Sequence, residues 1–272
     1  MPYLCIFEEI LNYMNLNLRG KRALVCGSTQ GIGKAIALEL AQLGANVTLL
    51  ARNEQGLKEV LNELPLNAGH EYLVADFSDY KNVQFKVNQY LENKTVDILI
   101  NNTGGPPAGP IVDADATAFM AAYQSHLLCN HVLVQAVLPH MKKQQWGRII
   151  NVVSTSVRQP LKGLGVSNST RAAVAGWAKT LSFEVAKDGI TVNNVLPGAT
   201  KTVRLESIIQ GKATKTNHAI DEVEKEMLSE IPAGRFGTAE EIAGLAAFLA
   251  SPSGAYINGQ SIAVDGGRTM AF

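Results

Sequence analysis

Short apolar strand patterns and longer helical patterns alternate along almost the whole chain. Strands are predicted over 22–26, 46–50, 72–75, 96–100, 148–153, 191–196 and 261–264, and helices over 32–43, 80–92, 115–143, 167–187 and 239–249. Repeats of this length require right-handed crossovers, which give a parallel sheet with helices on both faces. The sequence therefore predicts an α/β fold, a doubly wound parallel sheet in a single domain. Pro139 falls inside the longest predicted helix and should kink or shorten it, because proline lacks a backbone N–H.

The composition limits the class of protein and its partners. The 272 residues are 46% hydrophobic and 18% charged, which is enough for one sizeable core. Lys and Arg number 24, as do Asp and Glu, so no nucleic-acid or anionic-membrane partner is expected. No apolar run approaches the roughly 20 residues that span a bilayer. Cys5, Cys26 and Cys129 lack metal-ligand spacing and are odd in number. We therefore expect no metal site, no disulfide framework and a cytoplasmic location.

Two segments depart from the alternation. Residues 1–17 form an extension before a domain over 18–272, and they lack the basic start and cleavage site of a signal peptide. Two interpretations of this extension stay open: Met14 is the biological start, or the segment forms a short amphipathic helix. Residues 202–230 are polar and only partly periodic. We expect them to form a lid over the carboxyl edge of the sheet, where ligands of such folds bind.

A glycine-rich turn lies between the first predicted strand and the first predicted helix. It consists of Gly27, Ser28, Thr29, Gln30, Gly31, Ile32 and Gly33. Glycine here lets amides at a helix N-terminus face a pyrophosphate, although a tight turn needs glycine on structural grounds alone. Ala51 and Arg52 follow the second strand, where a carboxylate would bind the ribose of NAD and an arginine accommodates the 2′-phosphate of NADP. The sequence favours NADP(H) over NAD(H), the alternative being that Arg52 is a solvated surface residue.

Further segments with the character of a binding site follow the third, fourth and sixth strands. They are Asp76 and Phe77, then Asn102, Thr103 and Gly104, then Pro197, Gly198 and Thr202. Each alone is also what a tight bend requires. With the glycine turn and the C-terminal segments 231–237 and 264–267, they resemble the short-chain dehydrogenase/reductase family, its 3-oxoacyl-carrier-protein reductase-like members in particular. The resemblance covers about residues 18–268.

This resemblance implies a Rossmann-like fold and a contact for each part of the cofactor. The adenine ring would meet Asp76 and Phe77, and the adenine ribose would lie near the segment 102–104. The nicotinamide end would meet the segment 197–202.

The catalytic centre implied by the resemblance departs from the family pattern at three positions. In the family a serine is followed thirteen positions later by tyrosine and four further on by lysine, whereas here Ser154 is followed by Ser167 and Arg171. A serine hydroxyl cannot replace the more acidic phenol, and Arg171 keeps a cation that can hold the ribose but does not titrate. The asparagine of the fourth helix is His126, which is either a rewired proton donor or a histidine packed between helices. These four are the candidate catalytic residues, although a serine such as Ser154 also commonly caps a turn.

The sequence thus predicts an NADP(H)-dependent oxidoreductase that interconverts a carbonyl and an alcohol by hydride transfer, with an altered centre. The alternative is a nucleotide-binding protein with little or no turnover, acting as a sensor or partner subunit. The small-molecule substrate is expected between the loop 104–110 and the lid over 202–230. A homotetramer is expected from the resemblance, the small residues of the helix 167–187 and the apolar C-terminus.

Overall fold

The computed structural model describes residues 14–66 and 69–271 of the chain. Seven parallel strands form one sheet in the order β3–β2–β1–β4–β5–β6–β7. The strands are β1 (Arg22–Cys26), β2 (Asn46–Ala51), β3 (Glu71–Val74), β4 (Ile98–Asn101), β5 (Gly147–Val152), β6 (Ile190–Pro197) and β7 (Ser261–Val264). The α-helices are α1 (Gly31–Gln42), α2 (Glu54–Glu63), α3 (Tyr80–Leu91), α4 (Ala116–Tyr123), α5 (Cys129–Gln144), α6 (Gly165–Val185), α7 (Val203–Thr216), α8 (Ile220–Ser229) and α9 (Ala239–Ala250). The predicted doubly wound parallel sheet is confirmed.

Alternate side chains of the strands enter two separate cores, one on each face of the sheet. Ala23 and Val25 of β1 join a cluster with α1 and α9. Leu24 and Cys26 point to the opposite face and join a cluster with α3, α5 and α6. This period of two, applied to strands buried on both faces, explains why the strands are apolar runs. None of the described helices is long and apolar enough to cross a membrane.

The sequence patterns missed α2. Only Leu57 and Val60 of this helix are buried, so its mean composition is polar and its apolar signal is short. Asn53 starts the helix, since its side chain accepts a hydrogen bond from the amide of Gly56 at 3.2 Å. An N-cap of this kind supports a short amphipathic helix with few core residues.

The long helix predicted over 115–143 is interrupted. A π-helical segment, Gln124–Leu128, separates α4 from α5. Pro139 does not shorten α5, which continues to Gln144, whereas the alternative of a kink stays a prediction. Val137 and Met141 on either side of the proline are fully buried, and this packing holds the helix past the missing hydrogen bond.

The predicted lid over 202–230 is a pair of helices, α7 and α8, with a small core of its own. Leu205, Ile209 and Ala213 recur every four residues along α7 and are buried against Val223 and Met227 of α8. At the other end of the chain, Leu18 is fully buried. The question whether the N-terminal extension forms a helix concerns residues outside the described ranges.

A row of side-chain amides crosses the sheet from β4 to β7. Asn101 donates to Asn151 at 2.9 Å, Asn151 donates to Asn194 at 2.9 Å, and Asn194 donates to Ser261 at 3.0 Å. Each pair is also a pair of facing residues in the strand register. All three asparagines are buried, so they hydrogen-bond to one another inside the sheet, and only Oδ1 of Asn101, at the end of the row, has no partner among the described residues.

Candidate active site

The glycine turn between β1 and α1 is packed too tightly for side chains at two of its glycines. A Cβ on Gly33 would lie 2.1 Å from the carbonyl oxygen of Gly27. A Cβ on Gly27 would lie 2.7 Å from the carbonyl oxygen of Asn102. The Asn102 amide donates to the carbonyls of Cys26 and Gly27 at 3.2 and 3.3 Å. These two glycines are therefore needed by the packing of the turn itself.

The N-terminus of α1 fits a pyrophosphate. Gln30 precedes the helix and no side chain caps it, so the first amides point outward without a protein acceptor. Gly31 has a φ of +54°, and a Cβ there would lie 3.2 Å from a methyl group of Thr202. The segment that starts with Pro197, the last residue of β6, and continues through Gly198 to Thr202 thus approaches the glycine turn closely. Ser28 adds a fully buried hydroxyl with no hydrogen-bond partner among the described residues.

Arg52, predicted to bind the 2′-phosphate, lies beside Asp76, predicted to contact the adenine ring. The Arg52 guanidinium is 78% exposed and lies 3.9 Å from a carboxylate oxygen of Asp76. Thr29 reaches the start of α2, where a Cβ on Gly56 would lie 3.3 Å from it. The Phe77 ring is half-buried against the core beneath α3 and α5. Its contact with an adenine ring stays a prediction. An exposed arginine with only a distant carboxylate partner is free to bind a phosphate.

Arg171 joins the ends of two central strands. Its Nη1 donates to the carbonyl of Val152 at 2.8 Å, and its Nη2 lies 3.5 Å from the carbonyl oxygen of Thr103. Burial, and then the charge of Arg204, lower the pKa of Arg171 to about 10. The guanidinium therefore stays protonated at neutral pH, as expected from the sequence, and lies where the segments 102–104 and 152–154 meet.

The two serines of the altered motif have different roles. The hydroxyl of Ser154 accepts a hydrogen bond from the amide of Ser156 at 3.1 Å and caps the short turn that follows β5. The structure therefore gives it the turn-capping role. Ser167 is half-buried in the first turn of α6, one helical turn before Arg171. Its short side chain leaves the position of a phenol unfilled.

His126 lies on the π-helical segment and is only 2% exposed. Burial, followed by the charges of Arg171 and Arg204, lowers the pKa of this imidazole to about 2. The ordinary value for histidine is near 6.5, and the pKa is lower here because burial and two nearby cations all disfavour the protonated imidazole. His126 is neutral at physiological pH, so it is not a cationic acid there. Its Nδ1 is buried and has no hydrogen-bond partner among the described residues.

Arg204 also lies at this centre, although it was not predicted from the sequence. This residue lies in the first turn of α7, and its Nη2 donates to the carbonyl of Pro106 at 2.6 Å. Burial lowers its pKa. A cation in the first turn opposes the helix dipole, and that signal could have drawn attention to it. Within residues 14–66 and 69–271, no group of three or more His, Cys, Asp or Glu side chains could hold a metal ion.

Comparisons with known proteins agree with this geometry. A family model described as enoyl-(acyl carrier protein) reductase matches residues 27–269. The chain belongs to the short-chain dehydrogenase/reductase family. The predicted family is thereby confirmed, and with it the class of NAD(P)-dependent oxidoreductase.

Three relatives span nearly the same length. The 3-oxoacyl-[acyl-carrier-protein] reductase of Vibrio cholerae is 34% identical over 256 residues, which cover 94% of this chain and 100% of the relative. The NADPH-dependent reductase BacG of Bacillus subtilis is 31% identical over 257 residues, covering 93% and 99%. The structure of L-sorbose reductase from Gluconobacter frateurii, complexed with NADPH and L-sorbose, has a TM-score of 0.88 at 29% identity, covering 95% and 100%. The last two relatives are named with NADPH, in line with the cofactor predicted from the sequence.

Proposed function

We propose that this chain is an NADP(H)-dependent oxidoreductase that interconverts a carbonyl and an alcohol at an altered catalytic centre. The observation that carries the proposal is the juxtaposition at one sheet edge of an uncapped helix N-terminus, on α1, with an exposed Arg52. A helix N-terminus binds a pyrophosphate, and a guanidinium binds a 2′-phosphate bidentately. The relatives with NADPH in their names support the same cofactor.

Different residues of the chain would bind different parts of the cofactor. The amides at 31–33 would hold the pyrophosphate, Arg52 with Thr29 the 2′-phosphate, and the segment 197–202 the nicotinamide end. When bound, the nicotinamide supplies or accepts the hydride. Arg171 would hold the ribose, and its cation would stabilise negative charge that develops on the substrate oxygen. Ser154 and the neutral imidazole of His126 would offer hydrogen bonds without titrating at neutral pH.

Fluorescence titration with NADPH and NADH tests the cofactor assignment. We expect NADPH to bind at least about tenfold more tightly, because a charge-assisted hydrogen bond contributes about 1.5–3 kcal/mol and this arginine is largely exposed. Arg52→Ala should abolish the preference and leave NADH binding unchanged. The matched control is Arg19→Ala, which removes an exposed arginine outside the carboxyl edge. Equal affinity for the two nucleotides, or a preference that survives Arg52→Ala, would refute the assignment.

One observation favours a second candidate, a nucleotide-binding protein with little turnover that acts as a sensor or partner subunit. The described groups at the centre include no side chain that titrates near neutrality, since the pKa of His126 is about 2 and that of Arg171 about 10. General acid catalysis is typically worth roughly 10²–10⁴-fold in rate. A screen of ketones and 3-oxoacyl thioesters with NADPH separates the two functions, because only the enzyme gives turnover.

The other predictions from the sequence stay predictions. They are a homotetramer, a cytoplasmic location and a boundary between an extension and the domain at residue 17.

A further inference from the structure

Two partly buried arginines approach the same short loop from different elements. Arg171 of α6 lies 3.5 Å from the carbonyl oxygen of Thr103, and Arg204 of α7 donates to the carbonyl of Pro106 at 2.6 Å. A Cβ on Gly105, between those residues, would lie 3.3 Å from Nη2 of Arg204. Both cations also act on His126, which is 2% exposed. The three side chains therefore form one cluster, the arginine cluster, beside the loop after β4.

The arginine cluster has no negative partner within the described ranges. Neither Arg171 nor Arg204 forms an ion pair there, although nine other pairs are present. Their hydrogen bonds go to main-chain carbonyls alone, which use few of the five donors of each guanidinium. Buried charges without a counter-charge are costly, and proteins normally pair them. The lowered pKa values of both arginines have the same origin.

A pocket of about 380 Å³ lies beside the same loop. Its walls are mainly apolar and come from the loop 106–110, the start of α4 and Val166, the residue before Ser167. Among the described residues, Lys215 of α7 is the one cation in its wall and Asp113 the one carboxylate. Asp113 forms no ion pair with either arginine. The pocket thus shares Pro106 with the arginine cluster, because the carbonyl of this residue accepts the hydrogen bond from Arg204.

We propose that the arginine cluster binds an anionic oxygen group, a carboxylate or a phosphate, on the carbonyl substrate. The substrate class is then an oxo acid or a phosphorylated ketone. A planar guanidinium binds such groups bidentately. The unpartnered Nδ1 of His126, depending on tautomer, adds a buried donor or acceptor for the adjacent carbonyl or hydroxyl. This inference rests on the proposed function, which supplies the assumption that the substrate carries a carbonyl group.

The rival explanation is that Arg204 binds the cofactor. Thr202 lies only two residues earlier and approaches Gly31 of the glycine turn. The Arg204 side chain, however, is directed to the loop after β4 rather than to α1, as its bond to Pro106 shows. Cofactor affinity therefore separates the two explanations.

Calorimetric titrations with matched charged and neutral ligands test the proposal. The pairs are pyruvate and pyruvamide, acetoacetate and acetoacetamide, and dihydroxyacetone phosphate and dihydroxyacetone. Each is titrated into the protein loaded with NADP⁺, which cannot reduce a ketone, and also into the protein without nucleotide. The variants are Arg204→Gln, Arg204→Lys and, as a matched charge control on the lid, the exposed Lys225→Gln.

In at least one pair we expect the anion to bind about tenfold or more tightly than its neutral partner. Arg204→Gln should remove that difference while NADPH affinity is unchanged, Arg204→Lys should keep part of it, and Lys225→Gln should keep all of it. A preference confined to the phosphate pair identifies a phosphorylated ketone as the substrate class. A preference confined to a carboxylate pair identifies an oxo acid.

Two results would overturn the proposal. One is the absence of any anion preference in all three pairs, with and without nucleotide. The other is an Arg204→Gln variant that loses NADPH affinity and keeps the anion preference. Failure of the wild-type protein to bind NADPH would instead contradict the proposed function, and the titrations without nucleotide would still decide whether the anion site exists.

Discussion

The glycine turn and the arginine cluster lie at the same edge of one sheet, yet they satisfy their polar groups in different ways. At the turn, backbone packs on backbone, and the amide of Asn102 is bound to two carbonyls. At the cluster, the partners that the described part of the chain offers the two cations are main-chain carbonyls alone, and His126 has a nitrogen without a partner there. The backbone packing of the turn needs no ligand, and its unused polar groups are the first amides of α1 and the Ser28 hydroxyl. At the cluster, the unused groups are side-chain donors of the two guanidinium groups. This contrast indicates that the packing of the glycine turn does not depend on the side chains of the arginine cluster.

The largest predicted effect is the loss of stability on replacing Gly33 of the glycine turn. A Cβ there would lie 2.1 Å from the Gly27 carbonyl oxygen, so Gly33→Val must move backbone. We expect a loss of about 3 kcal/mol or more in the free energy of unfolding, together with loss of NADPH binding. The control is Gly244→Ala, in an open position of α9, which should add about 0.5–1 kcal/mol. Urea unfolding measures the stability of both variants. A Gly33→Val protein of normal stability would contradict the tight packing of the turn.

The next effect concerns the pH dependence of stability and His126. Its folded pKa, about 2, lies below the unfolded value of about 6.5, so the unfolded state binds more protons between these values. Stability is therefore lost as pH falls below about 6.5, by about 2 kcal/mol at pH 5. His126→Asn should lose correspondingly less between pH 7 and pH 5 in urea unfolding. An identical loss in both proteins would mean that the imidazole is not buried in neutral form.

The smallest effect tests whether the centre is altered or merely decayed. Ser167→Tyr with Arg171→Lys recreates the family pattern. We expect turnover to fall by about tenfold. The single ammonium of lysine cannot replace the planar guanidinium of Arg171, whose two terminal nitrogens contact the carbonyls of Val152 and Thr103. Ser169→Tyr, on an exposed position of α6, controls for the added phenol. A large gain in turnover would show that the centre has lost its residues without acquiring a new arrangement.

The sequence was sufficient for the fold because apolar periodicity reports burial directly. The strands and most helices are correctly predicted, whereas α2 was missed because only Leu57 and Val60 carry its apolar signal. The π-helical segment at 124–128 could not be predicted, because its residues are equally compatible with an ordinary α-helix. The change in hydrogen-bond spacing over one turn leaves no mark in the residue types. Arg204 was missed because its partner, Pro106, lies 98 residues away in the chain. Local patterns do not show which distant carbonyl a side chain will meet.

The row of asparagine amides from β4 to β7 has a consequence for how the sheet assembles. Asn101, Asn151 and Asn194 bond to facing residues, so the row exists only when these strands are aligned correctly. A slip by one residue turns every side chain of a strand to the opposite face. Such a slip would leave buried amides unpaired at a cost of about 1–3 kcal/mol each. During folding, the row therefore discriminates against misaligned strands, a selectivity that apolar side chains of similar size could not supply.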